Sequence, residues 1–62
     1  MLWLSEVLLQ HPDIETFEEL KKVVSEKGKQ GEIFFRMDIK PPYFDTPAEW
    51  EDQLEAAFTA IR

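Results

Sequence analysis

Residues 32–40, EIFFRMDIK, decide the fold, because no other segment of the chain alternates as clearly between apolar and polar residues. This period of two predicts a half-buried β-strand over residues 32–39. One predicted face carries Ile33, Phe35, Met37 and Ile39, and the other carries Glu32, Phe34, Arg36 and Asp38. A strand needs a partner for its N–H and C=O groups, so the fold depends on where that partner comes from.

The length of the chain limits what else can stabilise it. A chain of 62 residues predicts one domain over residues 1–62, with a marginal hydrophobic core. It has no cysteine, so neither a disulfide nor thiolate-bound zinc can strengthen that core, and oligomerisation is the favoured source of stability. The first nine residues, MLWLSEVLL, lack the basic segment of a signal peptide and are too short for a bilayer span. We therefore expect a cytoplasmic protein with no membrane partner.

The charge and the apolar content exclude two classes of protein. Seven basic and thirteen acidic residues give a net charge of −6, which repels a phosphate backbone and disfavours nucleic acid as a partner. The chain is 44% hydrophobic, with five phenylalanines, two tryptophans and one tyrosine. This composition is too apolar for a disordered acidic tail and predicts a folded domain.

Helical patterns surround the predicted strand. The segment before Pro12 favours a short helix. The sequence Thr16-Phe17-Glu18-Glu19 forms a capping box that predicts a helix over 16–27, ended by Gly28 in a left-handed conformation. The sequence Thr46-Pro47-Ala48-Glu49 predicts the start of a third helix, with threonine as the N-cap and proline at the first helical position. Its apolar stripe would contain Trp50, Leu54, Ala57, Phe58 and Ile61.

These elements predict a small α+β domain in the order helix, helix, strand, helix. Since no second strand is evident, the strand is expected to pair antiparallel with its copy across a homodimer. In the alternative fold, β-α-β-α, residues 2–9 form a strand parallel to 32–39. Ser5 and Glu6, in the middle of that apolar run, count against the alternative.

The chain offers little for catalysis or metal binding. Its one histidine lies in His11-Pro12-Asp13-Ile14-Glu15, where the two carboxylates precede a helix and are favoured there by its dipole without any metal. A nucleophile needs a base within hydrogen-bond reach, and two serines and one histidine offer no such pair. We therefore predict no enzyme, no metal site and no cofactor.

Two charged segments suggest alternative functions. Lys21, Lys22, Lys27 and Lys29 could form a basic patch of a winged helix-turn-helix that binds DNA. Glutamates interleaved with these lysines favour a self-neutralised solvent face instead. The acidic residues Glu49, Glu51, Asp52 and Glu55 could instead make the protein a nucleic-acid mimic that inhibits a DNA-binding enzyme.

The aromatic residues carry the main functional prediction. Periodicity assigns Phe17, Phe35, Trp50 and Phe58 to the core. Phe34 would be exposed unless Trp3 or Leu9 covers it, and Tyr43 and Phe44 follow a rigid Pro41-Pro42. We predict a non-enzymatic protein-interaction module, an acidic adaptor, regulator or inhibitor that binds itself and another protein. The predicted dimer interface contains Phe34, Phe35, Arg36 and Asp38, and the predicted partner-binding residues are Tyr43 and Phe44.

Overall fold

The computed structural model describes residues 1–59, which form three helices and two short strands. It confirms a small mixed α/β fold with the predicted order of helices. The elements are β1 Leu2–Trp3, α1 Leu4–Gln10, α2 Phe17–Lys29, β2 Phe35–Arg36 and α3 Trp50–Thr59.

The partner of the predicted strand lies within the same chain. Strands β1 and β2 run parallel, with Leu2 opposite Phe35 and Trp3 opposite Arg36. The favoured expectation that the strand has no partner within its own chain is therefore wrong. The alternative parallel arrangement is correct for residues 2 and 3 only, because the chain turns into α1 at Leu4.

Strand β2 is much shorter than the predicted 32–39. Its ladder cannot extend beyond β1, which supplies two residues before the backbone becomes helical. Ile33 and Ile39, both assigned to the buried face by alternation, are exposed, whereas Phe35 and Met37 pack against the core. Alternation along 32–39 therefore identified the position of the strand but overestimated its length.

Helix α2 begins where the capping box predicted. The Thr16 hydroxyl accepts a hydrogen bond from the Glu19 N–H at 3.2 Å, and the Glu19 carboxylate accepts one from the Glu15 N–H at 3.1 Å. The predicted helix end is wrong, because Gly28 lies inside α2 and Gly31, with φ of 100°, adopts the left-handed conformation. A Cβ atom at Gly28 would overlap the carbonyl oxygen of Phe58, so this glycine allows α3 to approach α2 closely.

Helix α3 begins later than the sequence predicted. The first helical residue is Trp50, and the Glu49 carbonyl accepts a hydrogen bond from the Gln53 N–H. Thr46 does not cap this helix, since its hydroxyl donates to the Pro41 carbonyl at 3.3 Å. The predicted contribution of Ile61 to the apolar stripe lies outside the described residues.

The core lies between the sheet and the three helices, and α2 and α3 form the most extensive helix contact. Phe17 and Phe58 are buried, as predicted, whereas Phe35 and Trp50 are half-buried against this core. No helix within residues 1–59 is both long enough and apolar enough to cross a bilayer. The buried apolar side chains are Leu2, Leu4, Val7, Phe17, Leu20, Val24, Leu54 and Phe58.

Candidate functional site

The solvent-facing side of the two-stranded sheet brings aromatic and charged side chains together. Since side chains alternate along a strand, Trp3 and Arg36 lie on the face opposite Leu2 and Phe35, and Phe34 shares that face with Arg36. The Arg36 guanidinium carbon lies 5.5 Å from the centre of the Trp3 ring, within cation–π distance. We call Trp3, Phe34 and Arg36 the outer face.

Phe34 is the most exposed ring of the outer face. It is 63% exposed, so neither Trp3 nor Leu9 covers it, and the alternative that assigned them this role is wrong. Trp3 packs with Arg36 instead, and Leu9 is 79% exposed on α1. An exposed aromatic ring beside an arginine is typical of residues that anchor protein interfaces.

The main chain of β2 has one edge directed away from β1. The Leu2 N–H donates to the Phe34 carbonyl at 2.7 Å, so the Phe34 carbonyl points towards β1. Because successive residues of a strand direct their N–H and C=O groups to opposite edges, both groups of Phe35 point away from β1. Within residues 1–59, no hydrogen bond to the Phe35 main chain occurs on that side.

A shallow groove of about 240 Å³ lies along this outward edge of β2. It separates residues 33–37 from the end of α3 and includes no residue of β1. The Phe35 ring lies 5.2 Å from the Phe58 ring, centre to centre, and forms part of the groove wall. The Phe35 side chain therefore belongs to the core and the groove, and only its main chain is presented at the edge.

Asp38 has a structural role that the sequence did not reveal. Helix α1 has no side-chain cap of its own, and the Asp38 carboxylate accepts a hydrogen bond from the Ser5 N–H in its first turn at 3.1 Å. Hydrogen bonding from Ser5, by its side chain and then by its N–H, holds the pKa of Asp38 below the usual 3.8. The prediction that Asp38 also contacts a second copy of the chain stays a prediction, and within one chain its carboxylate is directed to α1.

The two predicted partner-binding residues, on the loop between β2 and α3, have different environments. Tyr43 is half-buried and packs against the core, and this burial, followed by the negative charge of Glu19, raises the pKa of its hydroxyl. Phe44 points outwards and is 89% exposed. Phe44 is therefore the more accessible of the two predicted partner-binding rings.

The turn that presents Phe44 is held on both sides. The Asp45 carboxylate accepts a hydrogen bond from the Phe17 N–H at 2.7 Å, which caps the start of α2 from 28 residues away. The Thr46 N–H donates to the Tyr43 carbonyl at 3.1 Å. Reasoning from the sequence missed the role of Asp45, because its only local signal was its position just before Thr46-Pro47.

Two of the four lysines in the basic segment of α2 pair with neighbouring carboxylates. Lys21 pairs with Glu18 at 2.8 Å and Lys29 with Glu26 at 3.6 Å, as the interleaved glutamates predicted. A winged helix-turn-helix adds a β-hairpin, which is antiparallel, whereas the two described strands are parallel. This arrangement gives the DNA-binding hypothesis no support.

His11 lies at the end of α1 and shows no metal-binding arrangement. Its main-chain N–H donates to the Val7 carbonyl, and its own carbonyl accepts from the Ile14 N–H. No three histidine, cysteine, aspartate or glutamate side chains within residues 1–59 converge closely enough to hold a metal ion.

Comparisons with known proteins identified no relative of this chain. The chain matches no family model, no curated protein and no solved structure.

Proposed function

We propose that this chain is a non-enzymatic protein-interaction module, an acidic adaptor, regulator or inhibitor in the cytoplasm that acts as a homodimer and binds a second protein. The observation that carries the proposal is the 63% exposure of Phe34 on the outer face, beside Arg36 and next to the Phe35 main chain, which has no hydrogen-bond partner within residues 1–59. A two-stranded sheet is marginally stable, and a second copy would extend it to four strands. Aromatic residues and arginine are enriched among the residues that dominate binding energies.

A different surface is proposed for the second protein. Phe44 lies on the loop before α3, and its 89% exposure is the highest among the large apolar side chains described. Because Asp45 and Tyr43 hold the turn on either side, the main chain at Phe44 has little conformational freedom to lose on binding. Phe44 would insert into an apolar pocket of the partner, while the outer face forms the dimer.

Light scattering at tens of micromolar tests the dimer. We expect a mass of about twice the 7.3 kDa of the chain, and a shift towards monomer when Phe34→Ser is introduced. Leu9→Ser is the matched control, because Leu9 is similarly exposed but lies on α1, and it should leave the mass unchanged. A parent protein that is monomeric while folded by circular dichroism would refute the homodimer.

Binding to a second protein needs its own measurement. Proteins captured from extracts of the native host by the parent chain would be compared with those captured by Phe44→Ser and by Leu9→Ser. We expect Phe44→Ser alone to lose a specific partner. If both variants retain every protein that the parent captures, Phe44 is not a binding residue.

The acidic face of α3 supports a second candidate, a mimic of nucleic acid. Glu51, Asp52 and Glu55 are exposed, and no cation within residues 1–59 lies within ion-pair distance of them. Salt dependence separates the two functions, since a charge mimic should lose affinity steeply as ionic strength rises. Binding that depends on Phe44 should change little over the same range.

A further inference from the structure

We infer that the second copy of the chain pairs with β2 antiparallel, with the two-fold axis beside Phe35, so that Phe34 of each copy lies opposite Arg36 of the other. This inference rests on the proposed homodimer and specifies its register. The second copy would pair with the edge of β2 that is directed away from β1. At this edge the Phe35 N–H and C=O have no hydrogen-bond partner within residues 1–59. A copy of the same edge offers the complementary acceptor and donor.

The register follows from the length and direction of β2. The strand contains Phe35 and Arg36 alone, and only Phe35 directs its main-chain groups outwards. In an antiparallel ladder, two residues that face each other and both point into the ladder exchange two hydrogen bonds. If Phe35 lies opposite Phe35 of the second copy, both residues direct their N–H and C=O groups into the ladder, and they can exchange two hydrogen bonds without any other residue.

The outer face is complementary to itself in this register. Each Arg36 would lie between the Trp3 ring of its own chain, at 5.5 Å, and the Phe34 ring of the second copy. Within residues 1–59, no carboxylate lies within ion-pair distance of Arg36, so no ion pair holds its guanidinium away from the two rings. Directly opposed side chains at such non-hydrogen-bonded positions are the closest cross-strand pairs of an antiparallel sheet.

The carboxylates near the β2 edge are compatible with this register. Glu32 would lie opposite Asp38 of the second copy, which brings two acids together. However, the Glu32 carboxylate already lies 3.6 Å from the Met1 amino group, and Asp38 is directed to the Ser5 N–H. Moving the axis to Arg36 would instead place the two Arg36 side chains opposite each other, a repulsive arrangement across strands.

The absence of cysteine from the chain makes the register measurable by disulfide trapping. Phe34→Cys and Arg36→Cys are prepared separately, mixed in equal amounts at a concentration where sedimentation shows dimers, and oxidised mildly. The Cα separation of a non-hydrogen-bonded pair, about 4.5 Å, lies within the range that a disulfide can bridge. We expect the mixed disulfide to exceed its statistical half of the products, as measured by mass spectrometry.

Each outcome decides one question. An excess of the Phe34→Cys homodisulfide, of the Arg36→Cys homodisulfide, or a purely statistical mixture from dimeric samples would overturn the register but leave the homodimer intact. A monomeric parent in light scattering would overturn the homodimer itself.

A measurement on the unmodified chain guards against variants that no longer associate. Isotope-filtered NMR on a mixture of labelled and unlabelled parent protein reports only contacts between copies. We expect contacts between the Phe34 ring and the Arg36 side chain. Contacts between the two Phe34 rings without any to Arg36, or no contacts between copies in a dimeric sample, would contradict the inferred register.

Discussion

Replacing Gly28 with alanine tests the packing of α2 against α3, because close packing predicts a loss of stability where an exposed helical position would show a gain. At an exposed helical position, glycine to alanine stabilises by about 1 kcal/mol. At Gly28 the added Cβ would overlap the Phe58 carbonyl oxygen, a main-chain atom that cannot rotate away. Overpacking costs about 1–3 kcal/mol, and the rigid contact favours the upper part of that range. We expect a net loss of about 1–2 kcal/mol, which lowers the melting temperature by roughly 4–16 °C for a domain of this size.

Thermal unfolding followed by circular dichroism measures this difference, with two further variants as controls. Ser25→Ala, on the same helix, should be neutral or slightly stabilising, since alanine is the better helix former. Gly28→Asn should be more destabilising than Gly28→Ala, because the larger side chain increases the overlap. If Gly28 were instead a left-handed cap, asparagine would be tolerated better than alanine. Equal or greater stability of Gly28→Ala would refute the close approach of the two helices.

Three further predictions follow from single contacts. Asp45→Ala removes the acceptor at the start of α2 and should cost about 0.5–2 kcal/mol in urea unfolding, whereas Asp45→Asn retains an acceptor and should lose less. Phe58→Ala should cost about 3–5 kcal/mol and exceed the loss from Trp50→Ala, because Phe58 is buried and Trp50 half-buried; the reverse order in chemical denaturation would contradict this. Because Ser5 lowers the folded-state pKa of Asp38, its carboxylate contributes stability above pH 3.8 that is lost as the pH falls through the lowered value; Asp38→Asn should remove this dependence.

Local chemistry in the sequence predicted the parts of the fold that depend on neighbouring residues. The capping box depends only on residues close in sequence: the Thr16 hydroxyl accepts a hydrogen bond from the Glu19 N–H, and the Glu19 carboxylate accepts one from the Glu15 N–H. The start of α3 shows the limit of such signals. Thr46 and Pro47 have the residue types of a helix start, yet the Thr46 hydroxyl bonds to Pro41 in the preceding loop. A threonine hydroxyl at this position can bond either to the first turn of the following helix or to the preceding loop, and the sequence alone does not show which of them lies closer.

Long-range pairing accounts for most of what the sequence did not predict. Strand β1 has two residues, too few for a period of two to be recognised, and its apolar character continues into α1. Gly28 carries the residue type of a helix end, but its role depends on Phe58, 30 positions away, which no local pattern reveals. In the candidate site, the sequence left open whether Trp3 or Leu9 covers Phe34, and it did not distinguish the exposure of Phe44 from that of Tyr43. The outward direction of the Phe35 main chain required the observed pairing with β1.

The segment that follows β2 connects the stability of the fold to both proposed surfaces. It supplies a carboxylate to the first turn of α1 through Asp38 and to that of α2 through Asp45. These contacts order a loop that has no regular secondary structure of its own, and Phe44 lies next to the second of them. Weakening the Asp45 contact should therefore loosen the presentation of Phe44 before it disturbs the β2 edge, where Phe35 is held by its pairing with β1. Because the two proposed surfaces have separate supports, we expect substitutions to affect the proposed dimer and the proposed partner binding independently of each other.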